Sequence, residues 1–136
     1  MRKKGGFTLI EILAVIIIIG VISIIAVPIV TNYLNSARET AYTSFEKSME
    51  EAAKGIVLDC INENNNCQIK IDNKKIYLNT LIEDGLIENI KDPSGTNFCE
   101  EYTSYVNIIG DNPMEYKYEA CLYCGTYITD NTKCEK

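Results

Sequence analysis

Polar side chains are almost missing from residues 7–30, where only Thr8, Glu11 and Ser23 interrupt 24 otherwise apolar or small positions. As a helix this run would extend ~36 Å, enough to cross the hydrocarbon of a bilayer. Beyond it the apolar positions narrow to one face. Val30, Leu34, Ala37, Ala41, Phe45, Met49, Ala52, Ile56 and Cys60 follow one another at gaps of three or four, the spacing of a helical stripe. Asn35, Arg38, Glu39, Glu46, Lys47, Glu50, Glu51 and Lys54 fill the other face. One helix from Phe7 to about Leu58 accounts for both halves, and its periodicity passes through Gly55. The stripe is expected to pack on a domain, and the charged face to stay solvated or to meet another subunit.

After Cys60 the pattern shortens. Asn62-Glu63-Asn64-Asn65-Asn66 is a polar link, and the stretches at 68–71 and 75–78 flank Asp72-Asn73-Lys74, which predicts a hairpin. Asn79 or Thr80 is placed to cap a short helix through Leu81, Ile82 and Glu83 that closes near Gly85. Asp92-Pro93-Ser94-Gly95 is a turn signal. Residues 102–109 and 114–123 are rich in tyrosine and β-branched side chains, separated by Gly110-Asp111-Asn112-Pro113, and read as an antiparallel pair. Residues 126–129 predict one more strand.

Charge adds orientation. Arg2, Lys3 and Lys4 lie on one side of the apolar run, so that side should remain cytoplasmic and everything beyond residue 30 should face out. The whole chain has 136 residues, a net charge of −6 and no histidine. An acidic balance disfavours a broad nucleic-acid-binding face, and the lack of histidine removes the commonest general base and metal ligand. No spaced pair of carboxylates forms an acid–base signature. Asp111 and Asp130 fall in loops without a ligand series, so neither a metal, a cofactor nor an enzymatic activity is expected.

Cys60, Cys67, Cys99, Cys121, Cys124 and Cys134 all follow the apolar run. In an oxidising space they read as a disulfide framework for a head of about 75 residues, whose core is marginal without staples. Cys121-Leu122-Tyr123-Cys124 also admits a redox pair or half a zinc site. The first wants a βαβ setting, and the second wants further Cys or His at similar spacing. In a strand Cys121 and Cys124 face opposite sides and should bond different partners. Six cysteines permit fifteen pairings; the preferred set is Cys60–Cys67, Cys99–Cys121 and Cys124–Cys134.

The apolar run by itself admits an ordinary secretory signal or a simple anchor. A signal should end at a small-x-small cleavage site, and the run passes Pro28 and Val30 without one. A simple anchor leaves Glu11 unexplained, since a carboxylate in a spanning helix costs several kcal/mol unless paired, and no basic residue lies within the run.

Lys4-Gly5-Gly6 followed by Phe7-Thr8-Leu9-Ile10-Glu11 and a long apolar helix resembles the signal of type IV prepilins and pseudopilins. The resemblance is tight over the first thirty residues and loose over most of the rest, where a short helix, Asp-Pro-Ser-Gly and strands follow. It implies cleavage after Gly6 by a membrane prepilin peptidase and methylation of the freed amine of Phe7. It further implies that Glu11 pairs with that amine on a neighbouring subunit, and that the stretch bracketed by Gly20 and Pro28 unwinds locally in the filament. The implied fold is α+β and pilin-like: a long N-terminal helix packed by its outer half on a small antiparallel sheet, with a disulfide-stapled C-terminal region. The implied segments are a cytoplasmic leader (1–6), a membrane and filament-core half-helix (7–30), an amphipathic half (31–60) and an extracellular head (61–136).

The function so implied is a structural subunit of a pilus-like filament, held N-in in the cytoplasmic membrane before assembly and at the cell surface after it. Its partners would be other pilins, the peptidase and a membrane assembly machine. A pseudopilin of a secretion or competence machine is the near alternative, and a non-polymerising Cys-rich anchored binding or redox module the distant one. The Ile-, Asn- and Lys-rich composition leans towards a low-GC, Gram-positive host. Removing the leader takes three of thirteen basic residues and leaves ten against nineteen acidic ones. Direct nucleic-acid binding is therefore not expected, and Lys70, Lys74 and Lys75 form the one basic cluster.

Overall fold

The computed structural model describes residues 6–62, 73–130, 132 and 134. The chain divides into two units, Met1–Ala37 and Arg38–Lys136, and one helix, α1 (Leu9–Asn62), contributes to both. In the first unit the described residues are helical from Leu9, and every side chain is exposed. Isoleucine and valine are only moderate helix formers in water. Within a bilayer, however, a helix satisfies every backbone N–H and C=O inside its own segment, so an all-apolar stretch of this length has a ready helical state.

In the second unit α1 buries Tyr42, Met49, Ala53, Ile56 and Val57, with Phe45, Ala52 and Cys60 partly buried around them. The predicted stripe thus holds at Met49 and Ile56, but its centre is rotated towards Tyr42, Ala53 and Val57. Rotation brings Glu46 and Glu50 to the edge of the packed face. The expectation that they belong to a solvated charged surface is therefore corrected: both are half-buried and bond to the head.

The head carries β1 (Lys75–Tyr77), α2 (Leu78–Glu83), β2 (Tyr105–Ile109), β3 (Lys117–Cys121), β4 (Tyr123–Cys124) and β5 (Tyr127–Ile128). The first three strands form an antiparallel sheet in the order β1-β2-β3. Its register puts Ile76, Val106 and Ala120 side by side. All three are buried in the core that also takes the α1 stripe, so one sheet face packs on the helix. Strands β4 and β5 make a second, two-stranded piece around Gly125, whose φ of 62° is the left-handed conformation glycine adopts without strain. The predicted pair of strands at 102–109 and 114–123 is present in trimmed form, as is the strand at 126–129.

Two local expectations change. The hairpin's first strand, 68–71, lies outside the described residues; its second becomes β1 and pairs with β2. Neither Asn79 nor Thr80 caps α2. The helix starts directly from β1, and its first amides find backbone acceptors instead: Leu78 N–H donates to Ser104 O at 2.8 Å and Asn79 N–H to Glu101 O at 2.9 Å. A side-chain cap is redundant where neighbouring carbonyls already serve the free donors. The helix does close at Gly85, where φ is 71° and the Leu86 N–H reaches back to Leu81 O at 3.0 Å.

Two disulfides join described residues, Cys99–Cys124 and Cys121–Cys134, which corrects the expected Cys99–Cys121 and Cys124–Cys134. Cys121 and Cys124 do bond different partners, as opposite facing requires. The assignment fails on which face each takes. Ala120, Leu122 and Cys124 point into the main core with Cys99, whereas Cys121 lies in a separate cluster with Tyr105 and Cys134. Cys60 is also disulfide-bonded; its expected partner, Cys67, is outside the described residues.

Candidate functional site

The expected processing residues, Gly6 and Phe7, and Glu11 lie at the start of α1. Gly6 and Phe7 precede the helix and are exposed, and Thr8 is the last residue before it. The Thr8 backbone N–H and hydroxyl both donate to Glu11 Oε2, at 2.8 and 3.0 Å, and the Glu11 N–H approaches Thr8 Oγ1 at 3.4 Å. This is a reciprocal capping box, Thr8-Leu9-Ile10-Glu11, with the carboxylate placed near the positive end of the helix dipole. Sequence reasoning treated Glu11 as a carboxylate whose partner lies elsewhere. The T-x-x-E spacing is the sequence signal for this box. Thr8 satisfies one carboxylate oxygen, but it is neutral, so the negative charge itself is not balanced by it.

Further along, α1 continues through Gly20 and Pro28 in the single chain. Pro28 has no N–H to offer the Ile24 carbonyl. Ser23 Oγ donates to Ile19 O at 2.7 Å and Thr31 Oγ1 to Pro28 O at 3.0 Å, so both hydroxyls are turned back onto the helix. That leaves an apolar outer surface: Leu9 is 91 % exposed, Ile16 57 % and Ile24 77 %. The helix is long and apolar enough to cross a membrane.

In the head, a polar joint ties α1 to the loops. The Tyr42 hydroxyl donates to Asp92 Oδ1 at 2.6 Å, and Ser94 N–H and Oγ reach the same oxygen at 2.8 and 2.7 Å. Asp92 is buried, and the bond from Tyr42, followed by those from Ser94, holds its carboxyl below the usual carboxylate range. Tyr42 stacks on Tyr127 with ring centroids 3.9 Å apart. Tyr127 and Thr129 both donate to Glu46 Oε1, and Thr129 Oγ1 also accepts from Leu122 N–H. Burial first, then the bond to the Glu46 carboxylate, pushes Tyr127 up to about 12. Gly125 completes the joint, because a Cβ there would fall 2.5 Å from Asp92 Oδ2. The turn signal located Asp92, but its bond to Tyr42, fifty residues away, has no sequence signature.

The basic cluster is engaged rather than free. Lys74 Nζ lies 3.1 Å from Asp111 Oδ1 and 2.8 Å from Gly110 O, and Lys75 Nζ sits 4.5 Å from the Tyr105 ring centre. Lys70 is outside the described residues.

Residues 1–27 match the family model described as the prokaryotic N-terminal methylation motif. No curated protein and no solved structure matches the chain.

Proposed function

We propose, from the type IV prepilin signal that residues 1–27 carry, that this chain is a pilin-like precursor whose mature form is a structural subunit of a surface filament. Peptidase cleavage between Gly6 and Phe7 removes the basic leader, and the freed amine is methylated. The observation that carries the reading is the match at residues 1–27 on a helix whose apolar surface has no cover in its own unit. Such a surface is stable in lipid before assembly and against copies of itself afterwards.

Within the filament Glu11 has a second task. The amine of Phe7 carries a positive charge, and the charge on Glu11 lacks a counterion among its bonds to Thr8. Moving both into an apolar filament core is costly for each alone and tolerable as a pair. Pairing between neighbouring subunits would set their stagger.

The test separates capping from charge. Glu11→Gln keeps a side chain competent for the capping box and removes the negative charge. The expected outcome is normal precursor in the membrane with filament yield down at least tenfold. Wild-type yield from this variant would refute the pairing and leave Glu11 as a helix cap. The same preparation tests the broader reading: a wild-type chain that stays full length in the membrane would favour an anchored, non-polymerising module.

A further inference from the structure

One segment of the head is pinned along its backbone and leaves its side chains free. Asp92 N–H donates to Asn97 O at 2.9 Å, Cys99 N–H to Ile90 O at 2.8 Å and Glu100 N–H to Tyr123 O at 2.9 Å. Glu101 O accepts from Asn79 N–H and Glu100 O from Ser104 N–H, both at 2.9 Å. The Cys99–Cys124 disulfide adds a covalent tie. Between these ties Phe98 and Tyr102 stand 61 % and 72 % exposed. They line a groove of about 450 Å³ together with Asn89, Glu100, Glu101 and Thr103, a volume within the range of small-molecule sites. Aromatic rings on a fixed backbone lose little further freedom when they meet a ligand.

The ionised groups select among ligands. Glu100 and Glu101 are the charged residues of this lining, and neither carboxylate has a hydrogen bond or ion pair among the described residues. The adjoining groove, past Phe45 and Glu88, holds Lys91 as well and is balanced. An anion is repelled by the two carboxylates. An apolar or neutral ligand strips water from them and leaves their charge uncompensated. A cation meets both carboxylates and the negative faces of both rings. A bare ammonium or metal ion holds its water too strongly to exchange it for aromatic faces. An ammonium bearing methyl groups is weakly hydrated and offers the rings apolar surface as well as charge.

We infer that the Phe98–Tyr102 groove binds an alkylated ammonium ion of the choline type. The ligand carries no phosphate beside its nitrogen, because Glu100 and Glu101 repel one. Its source is therefore a free organic cation and not a phospholipid headgroup. The site belongs to the head and goes beyond the filament reading, which neither requires nor supplies it.

Equilibrium titration of the full-length protein in non-ionic detergent with choline chloride, read from saturation transfer to the N-methyl protons, tests the site. Choline should bind at least about fivefold more tightly than glycerophosphocholine, or than its uncharged isostere with carbon in place of nitrogen. Phe98→Ala, Tyr102→Ala and the pair Glu100→Gln with Glu101→Gln should each weaken choline at least about fivefold. All should leave the head's denaturation midpoint in place, since none of these side chains belongs to the buried core. Equal affinity for the isostere would make the groove merely apolar. Tighter binding of glycerophosphocholine would move the ligand to a phosphate-bearing headgroup. Choline binding that is absent, or unchanged by the substitutions, would remove the site. Each of these results overturns the assignment, and none touches the filament reading.

Discussion

Residues 9–37 and residues 38–62 belong to one helix and meet different surroundings. The first stretch is the more apolar, yet none of its side chains is buried. The second is strongly charged, yet it contributes Tyr42, Met49, Ala53, Ile56 and Val57 to the head's core. Apolarity in the chain is therefore a poor guide to where the chain's own core lies. A helix that is apolar all round holds its surface for a partner or a solvent other than water, whereas an apolar stripe holds it for the domain beside it.

The sharpest way to test that difference is to delete the same kind of contact in each half. Met49→Ala removes a fully buried side chain and should cost the head about 2–5 kcal/mol. Ile16→Ala should leave the head's unfolding unchanged within ~0.5 kcal/mol. Chemical denaturation of the full chain in detergent, followed by tyrosine signals, reads both. Equal losses in the two variants would show that the stretches are not energetically separate.

Next in size are the staples. Replacing Cys99 and Cys124 by serine opens a link spanning 25 residues in the main core and should cost about 2–4 kcal/mol; the same change at Cys121 and Cys134 spans 13 and should cost somewhat less. Peptide mapping of the wild-type protein checks the connectivity directly. Recovery of a Cys99–Cys121 peptide would contradict the alternation of faces along residues 120–124.

Tyr42→Phe keeps the stack on Tyr127 and withdraws a donor from buried Asp92, for an expected loss of about 1–3 kcal/mol. In the first stretch the Ser23 and Thr31 hydroxyls turn back onto their own helix.

The pH response follows from the same joint. Asp92 has a lowered folded value, so its contribution is present above the ordinary carboxylate range and fades as pH falls below ~4. Tyr127 is raised to about 12, so its contribution is intact below ~10 and is lost as pH rises from there towards that value. Denaturant midpoints measured across pH should fall at both ends, and the acid slope should flatten in Tyr42→Phe. An unchanged acid slope would mean that the Tyr42–Asp92 bond does not govern it.

What could be read from residues alone divides along the same line. The long helix and the tyrosine-rich strand pair follow from local periodicity, and both are present, whereas the division between the two units falls after Ala37 and not at residue 30. The constellation Gly6, Phe7 and Glu11 was visible because position, residue type and charge coincide within six residues. What was hidden depends on facts that no local pattern carries. The stripe's true centre at Tyr42 and Ala53 is set by where the sheet presses on the helix. The cysteine pairing is set by the register that turns Leu122 and Cys124 inward with Cys99. The Glu46 contacts with Tyr127 and Thr129 join positions about eighty residues apart. Glu11's bond to Thr8 is local, and its T-x-x-E spacing is legible in the sequence.

The most direct measurement is the intact mass of the protein in sheared surface filaments. The account predicts a chain that begins at Phe7, carries one added methyl group, and has all six cysteines oxidised. A full-length, unmethylated chain confined to the membrane would contradict it.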